Sequence, residues 1–181
     1  MHIHIFWDAL SPAGLQLPVA RTITAIVGLR AIVTENRVRV MGYVEERKQI
    51  NSQALLDSVQ IYKRRHKLTD PVLLVISQDL FKNGHRYVFG LARESVGAAV
   101  ISAARLGNEF YGRKKSDDDL IDRLSKEGAH EIGHLFGLDH CAEWECIMFR
   151  PDTLDELDRK KKGFCVHCRT QLTIHLASKF S

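Results

Sequence analysis

The sequence contains no apolar stretch of membrane-spanning length, no Gly/Ser-rich linker, no internal repeat and no low-complexity segment. A membrane-spanning helix needs about 20 consecutive apolar residues, so we expect a soluble protein without a membrane partner. Residues 1–7 have neither the basic region nor the apolar core of a secretory leader, which favours the cytoplasm. Without a linker, 181 residues with 45% hydrophobic content predict one domain, residues 1–181, with a substantial core.

The chain also lacks a strong excess of either charge, since its formal net charge is only +4. Two basic runs, residues 63–67 and 159–162, could bind a nucleic acid or an acidic substrate. Both runs fall where helices are expected to end, and cations there complement the helix dipole. We interpret them as solvated helix ends and expect no nucleic-acid partner.

Strand and helix patterns alternate along the chain, which predicts an α/β fold with a layered arrangement. Asn51 is a favourable N-cap for a helix that runs to about Arg65. The other expected elements are strands at 1–7, 30–34, Val72–Ile76 and 97–104 and a helix at 16–28.

One short motif predicts hydrolytic chemistry. His130 and His134 are four residues apart, so on a helix both imidazoles project from one face and can occupy two vertices of a zinc tetrahedron. Glu131 lies to one side of that pair, where it can reach a zinc-bound water without being a ligand. The metal lowers the pKa of its water to about 7, and the carboxylate takes the proton.

Gly137 and His140 extend the motif. Position 140 cannot share the histidine face of a straight helix. A glycine that adopts positive φ can end the helix and turn the chain, so that His140 completes a three-histidine site with one open position. Ser116 and the acidic residues after it suit an N-terminus, which predicts an active-site helix at about 117–137. The plainer alternative is a helix with two surface histidines and an ordinary C-cap glycine.

Cysteine is scarce and confined to one region. The four cysteines form two short-spaced pairs, Cys141 with Cys146 and Cys165 with Cys168. Four thiolates in two loops are what a closed tetrahedral zinc site requires, and paired cysteines in a cytosolic chain favour metal over disulfides. Disulfides and plain buried thiols are the alternatives. His167, inside the second pair, could replace one cysteine but is expected to be a loop residue.

Met148 follows the third histidine by eight residues. A methionine in a turn at this position distinguishes metzincins from other HExxH zinc proteins, and it lies beneath the metal in those folds. The alternative is a core methionine without a special role.

These residues together resemble the archaemetzincins. The pattern HExxHxxGxxHCx4CxM runs from His130 to Met148, and Cys165 and Cys168 supply the following CxxC. The spacer, residues 149–164, is one residue shorter than is usual in that family. Residues 87–92 and Ala98–Ser102 are similar to strands of the family.

The resemblance implies a compact single-domain metzincin-like fold with a mixed twisted sheet and a long active-site helix. It implies that His130, His134 and His140 bind a catalytic zinc and that Glu131 is the general base. Four cysteines would bind a second, structural zinc and hold the C-terminal region of about 141–168, with Gly137 and Met148 as structural support. These four ligands are Cys141, Cys146, Cys165 and Cys168.

The expected function is that of a zinc-dependent peptidase acting on a peptide or protein substrate, as a monomer. In metzincin-like folds the strand before the active-site helix lines the cleft, which assigns residues 97–104 as the edge strand that pairs with substrate. The alternative function is a non-hydrolytic or weakly active two-zinc protein that binds peptides or proteins. Glu131 favours hydrolysis, because a pure binding site needs no base beside its ligands.

Overall fold

The structure, a computed structural model, describes residues 1–180, with side chains described as far as Ser178. Residue 181, the last of the predicted domain, lies outside the described residues. The described strands are β1 Ile3–Trp7, β2 Ala31–Glu35, β3 Tyr43–Val44, β4 Gln49–Asn51, β5 Val72–Ile76, β6 Leu80–Phe81, β7 Gly90–Arg93 and β8 Ala98–Ser102. The described helices are α1 Gln16–Val27, α2 Ser52–Arg65, α3 Asp117–Leu135, α4 Leu154–Arg159 and α5 Val166–Phe180.

The main sheet is mixed and has the strand order β2-β1-β5-β8-β7. Its first four strands are parallel, and β7 pairs antiparallel with β8 at the edge. A smaller sheet has the order β3-β4-β6. Helices α1 and α3 cover one face of the main sheet and α2 covers the other, which confirms the predicted α/β layering.

Strand β5 shows how the two faces are specified. All five of its residues are fully buried: Leu73 and Val75 face the layer of α1 and α3, and the flanking residues face α2. Strand residues alternate between faces, so a continuous apolar run is what a strand covered on both sides requires. The predicted boundaries of β5 are confirmed.

The helix ends also follow local chemistry. The Asn51 side chain accepts hydrogen bonds from the backbone N–H groups of Gln53 and Ala54, at 3.0 and 3.2 Å, and so caps α2 as predicted. Helix α1 ends at Gly28, which has a φ of 85°. Within residues 1–180, no helix is both long and apolar enough to cross a membrane.

The assignment of residues 97–104 as the edge strand is wrong. Strand β8 is paired on both sides, with β5 and β7, and its residues are fully or almost fully buried. The strand at this edge of the sheet is β7, whose residues are only half-buried. The apolar run of β8 is typical of a central strand, whereas the shorter β7 has little apolar pattern. Of residues 87–92, which are similar to a strand of the archaemetzincins, only those from Gly90 onwards belong to β7.

The interpretation of both basic runs as solvated is wrong for one lysine in each. The runs do lie at the ends of α2 and α4, but Lys63 is 7% and Lys160 only 2% exposed. The ammonium of Lys63 donates to the carbonyl oxygens of Asp70 and Gly97, and burial lowers its pKa to about 8. Charge counting in a sequence does not distinguish such a lysine from its exposed neighbours.

Helix α4 is attached to α3 by a buried guanidinium. Arg123, 3% exposed, donates from Nε and Nη2 to the two carboxylate oxygens of Asp158, at 2.6 and 2.8 Å. Its Nη1 donates to the carbonyl oxygen of Leu106 and the side chain of Asn108. Such bidentate geometry fixes the relative position of the two helices.

We expect Asp158→Ala to lower the free energy of unfolding by about 2 to 3 kcal/mol, because it leaves the buried Arg123 charge without its partner. Asp155→Ala is the matched control on the same helix. Asp155 pairs with Arg113 at 3.3 Å, but both side chains are about half exposed or more, so the loss should stay below about 1 kcal/mol. Urea unfolding measures both variants, and equal losses would contradict the role assigned to Arg123.

Candidate functional site

Helix α3 carries the first part of the site. The Ser116 hydroxyl accepts from the backbone N–H of Asp119 at 3.2 Å, and three aspartates occupy the first turn, where they complement the helix dipole. The helix ends at Leu135, two residues before Gly137, which has a φ of 78°. This positive φ turns the chain back towards the helix, as the sequence predicted.

The turn brings the three predicted histidines together. The Nε2 atoms of His130 and His134 are 3.1 Å apart, and no two ligand atoms of the three histidines are more than 4.8 Å apart. Tetrahedral zinc with bonds of about 2.0–2.1 Å separates its nitrogen ligands by about 3.3 Å. The cluster therefore has the dimensions of a zinc site.

Backbone carbonyls orient two of these rings. His130 Nδ1 lies 2.8 Å from the carbonyl oxygen of Ile147, and His134 Nδ1 lies 2.6 Å from that of Leu138. A proton on Nδ1 satisfies each contact and leaves Nε2 with the free electron pair that a metal ligand needs.

The electrostatic environment keeps the imidazoles neutral. Burial lowers the pKa of His130 well below its usual value, and the charge of Lys160 lowers it further. Burial is also the main cause of the lowered pKa values of His134 and His140. Neutral imidazole is the form that binds zinc.

Glu131 lies beside the cluster with a carboxylate that is hard to ionise. Burial raises its pKa well above the usual range, and the neighbouring Glu127 carboxylate raises it further. Burial also raises the pKa of Glu127, whose Oε2 has no hydrogen-bond partner among the described residues. The positive charge of Lys160 lowers the pKa of both acids.

Lys160 is itself held in place. Its Nζ donates to the carbonyl oxygen of Phe149 at 2.9 Å, and burial lowers its pKa to about 8. Sequence reasoning missed both Lys160 and Glu127. Glu127 stands four residues before Glu131 on the same helix face, a spacing that could have indicated it. No sequence signal distinguishes Lys160 within its basic run.

The four cysteines form a second cluster in the C-terminal region. All are free thiols, and their sulfur atoms lie within 4.8 Å of one another. The Sγ atoms of Cys141 and Cys165 are 3.8 Å apart. A disulfide needs about 2.05 Å, whereas sulfur ligands on tetrahedral zinc are separated by about 3.8 Å, since each Zn–S bond is about 2.3 Å. The geometry fits a metal better than a disulfide.

Hydrogen bonds within the cysteine cluster support the same interpretation. Cys146 Sγ accepts from the backbone N–H groups of Met148 and Cys165, at 3.4 and 3.3 Å. Burial raises the pKa values of Cys146 and Cys168. Four thiols this close cannot all ionise without a cation among them, so the cluster fits a divalent ion. His167 is exposed and lies outside the cluster, but the expectation of a loop is wrong, since His167 belongs to the first turn of α5.

Met148 lies under α3. It is fully buried, and its thioether packs against Gly133, between His130 and His134 in sequence. Its carbonyl oxygen accepts from the N–H of Cys141 at 2.9 Å. The residue therefore connects the start of the cysteine region to the helix that carries the histidines.

Glu131 and the three histidines line a cleft of about 550 Å³. One wall is the edge strand β7, which is paired on one side only. Gly90 lies close to the carboxylate: a Cβ at this position would lie 2.8 Å from Glu131 Oε1. The edge of the sheet and the carboxylate are thus adjacent, and an extended peptide added to β7 would pass the histidine cluster.

A family model supplies independent evidence. Residues 21–174 match the model of peptidase family M54. An archaemetzincin from Sulfolobus acidocaldarius is 38% identical over 130 residues, 72% of either chain. One from Thermococcus kodakarensis is 43% identical over 98 residues, and the match spans 54% of this chain and about half, 53%, of that relative.

Solved structures agree over nearly the whole chain. A zinc-dependent peptidase from Methanocorpusculum labreanum superimposes with a TM-score of 0.90 at 40% identity, over 94% of this chain and 99% of the other. An archaemetzincin from Methanopyrus kandleri gives a TM-score of 0.79 at 31% identity, over 97% and 96% of the two chains. The chain belongs to peptidase family M54, the archaemetzincin family of zinc metallopeptidases.

Proposed function

We propose that this protein hydrolyses peptide bonds, with His130, His134 and His140 as zinc ligands and Glu131 as the general base. The observation that carries the proposal is the position of Glu131. Its carboxylate lies between the three-histidine cluster and the edge strand β7, where a bound peptide would present its carbonyl. A binding module has no need of a base at this point.

When bound, zinc supplies a Lewis acid that polarises the peptide carbonyl and lowers the pKa of water to about 7. The carbonyls of Ile147 and Leu138 hold two of the imidazoles in the ligating tautomer. Residues of β7 position the substrate through backbone hydrogen bonds.

Glu131 carries the proton during the reaction. It takes a proton from the attacking water and later delivers it to the nitrogen of the leaving amine. Burial and Glu127 raise its pKa, which makes it a stronger base once it is ionised, and Lys160 opposes them so that ionisation is still possible. Burial and Glu127 thus act on the pKa of this carboxylate in one direction and Lys160 in the other.

We further propose that the four cysteines hold a second zinc ion with a structural role. Four protein ligands close such a site and leave no position for water. The cluster joins the segment 141–148 to the start of α5, and Met148 then supports α3 from below.

We expect Glu131→Gln to lower kcat by at least about 100-fold, because the amide cannot accept the proton. Its zinc content should equal that of the wild type, because Glu131 is not a ligand. Hydrolysis of a diverse peptide library and elemental analysis measure the two quantities, with the exposed Glu46→Gln as control. Zinc-loaded wild type that cleaves no peptide would instead support the alternative, a non-hydrolytic two-zinc binding module.

We expect two zinc ions per chain in the wild type and about one in Cys165→Ser, with a lower free energy of unfolding, because the binding energy of a structural metal contributes to folding. The matched control is His167→Ala, two residues away on an exposed side chain outside the cluster. It should keep both ions and full stability. Unchanged stability in Cys165→Ser would contradict a structural role for the second ion.

We expect Lys160→Met to move the acid limb of the kcat/KM profile to higher pH. The charge of Lys160 lowers the pKa of Glu131, so its removal raises that pKa, and the base is then protonated at a pH where wild type is still active. Lys161→Met is the control, because Lys161 is exposed and pairs with Glu145. An acid limb that stays in place or moves to lower pH would contradict this role.

A further inference from the structure

The cleft has an uneven distribution of charge along its length. Lys82 and Arg86 line it from the loop that precedes β7, Glu94 lines it from just after the other end of that strand, and Asp139 lines it from the turn after α3. Glu94 reaches the turn at Gly137, since its Oε1 is 3.5 Å from where a Cβ of Gly137 would lie. Because β7 is extended, the basic and acidic groups stand at opposite ends of the same groove.

The basic end is held firmly. The Arg47 guanidinium donates to the carbonyl oxygens of His85 and Arg86, at 3.2 and 2.9 Å, and Gln49 Nε2 donates to that of Arg86 at 3.0 Å. The Tyr87 hydroxyl donates to the carbonyl oxygen of Asp152 across the groove at 3.0 Å. These bonds fix the backbone of the loop and leave the side chain of Arg86 exposed.

The cations at this end are available to a ligand. Within residues 1–178, no carboxylate forms an ion pair with Lys82 or Arg86. Arg150 also lines the groove, but Asp152 lies 3.7 Å from it and offsets part of its charge. An incoming acidic group therefore meets Arg86, which has no carboxylate partner in this range, and Lys82, whose charge also acts on Glu131.

We propose that the cleft selects peptides with an acidic side chain on one side of the cleaved bond, the side that faces Lys82 and Arg86. This inference rests on the proposed peptidase function. Gly90, beside Glu131, is taken as the position of the reacting carbonyl, and Arg86 lies four residues before it, at most about 14 Å along the chain. In an ion pair, the side chains of Arg86 and of the acidic substrate residue both extend towards each other. The backbone of the acidic residue can therefore lie nearer to the cleaved bond than Arg86 does, at two or three positions from that bond. The opposite side, near Glu94 and Asp139, favours a basic residue or a free amine.

The test uses peptides that are identical except for one Glu or Lys, placed in turn at three positions on each side of the cleaved bond. At low ionic strength, kcat/KM for the zinc-loaded protein should be about threefold or more higher for Glu than for Lys on one side only, and the order should reverse on the other. The preference should shrink as salt is added, because Arg86, Glu94 and Asp139 are exposed and Lys82 is partly exposed. Equal rates for Glu and Lys at all six positions would overturn the proposal.

A charge reversal identifies the residue responsible. Arg86→Glu should remove or invert the preference on the basic side, measured as the ratio of kcat/KM for the Glu peptide to that for the Lys peptide, because the exposed side chain that faces the ligand changes sign. Arg64→Glu changes the net charge equally from an exposed position on α2 and should leave the preference intact. A preference that survives Arg86→Glu, or that Arg64→Glu removes as well, would contradict the assignment.

A binding measurement separates this inference from the proposed function. The same peptides carrying a fluorophore are titrated with zinc-loaded Glu131→Gln, and anisotropy reports affinity without turnover. Charge preference in binding without cleavage by wild type would overturn the peptidase proposal and retain the acidic-ligand proposal. Cleavage without any charge preference would retain the peptidase proposal and overturn the acidic-ligand proposal. If wild type cleaves no peptide and binding shows no charge preference, both proposals are overturned.

Discussion

The rest of the site depends on one short backbone segment, residues 146–148. Cys146 contributes its sulfur to the thiol cluster, Ile147 accepts from the ring of His130, and Met148 packs beneath α3. The segment is fixed from both sides, by the bond from the N–H of Cys141 to the Met148 carbonyl and by that from the N–H of Ile147 to the Gly163 carbonyl. Three consecutive residues cannot move independently, so the two candidate metal clusters form one mechanical unit.

The base of the cleft buries three ionisable groups, Glu127, Glu131 and Lys160. Burying an ionisable group is costly unless an opposite charge accompanies it. Here Glu127 and Lys160 act on Glu131 in opposite directions, one raising its pKa and the other lowering it. An apolar residue in place of either would be a simpler way to fill the space. Retention of both charges next to the carboxylate is understandable if the proton affinity of Glu131 has to be tuned, which is what a general base requires.

The sequence revealed those features that depend on neighbours in the chain. The cap at Asn51, the helix end before Gly137 and the convergence of His130, His134 and His140 all follow from local geometry. The edge strand was misassigned, because strand order depends on long-range pairing. The apolar run of β8 does not indicate which two strands pair with it. The burial of Lys160 was missed for a related reason: its partners are a carbonyl 11 residues away and two carboxylates on another helix.

The two clusters differ in a way that bears on their proposed roles. Four sulfurs enclose a position completely, whereas three imidazoles leave one coordination site facing the cleft, and an open site exchanges its metal more readily. The rings of His130 and His134 are nevertheless oriented by carbonyls of the protein and not by the metal alone. One of those carbonyls belongs to residues 146–148, which the cysteine cluster holds in place. In this arrangement a closed structural ion would preserve the shape of the open site whether or not the catalytic ion is bound. Rebinding of zinc would then require no refolding, only the displacement of whatever waters lie against the three imidazole nitrogens.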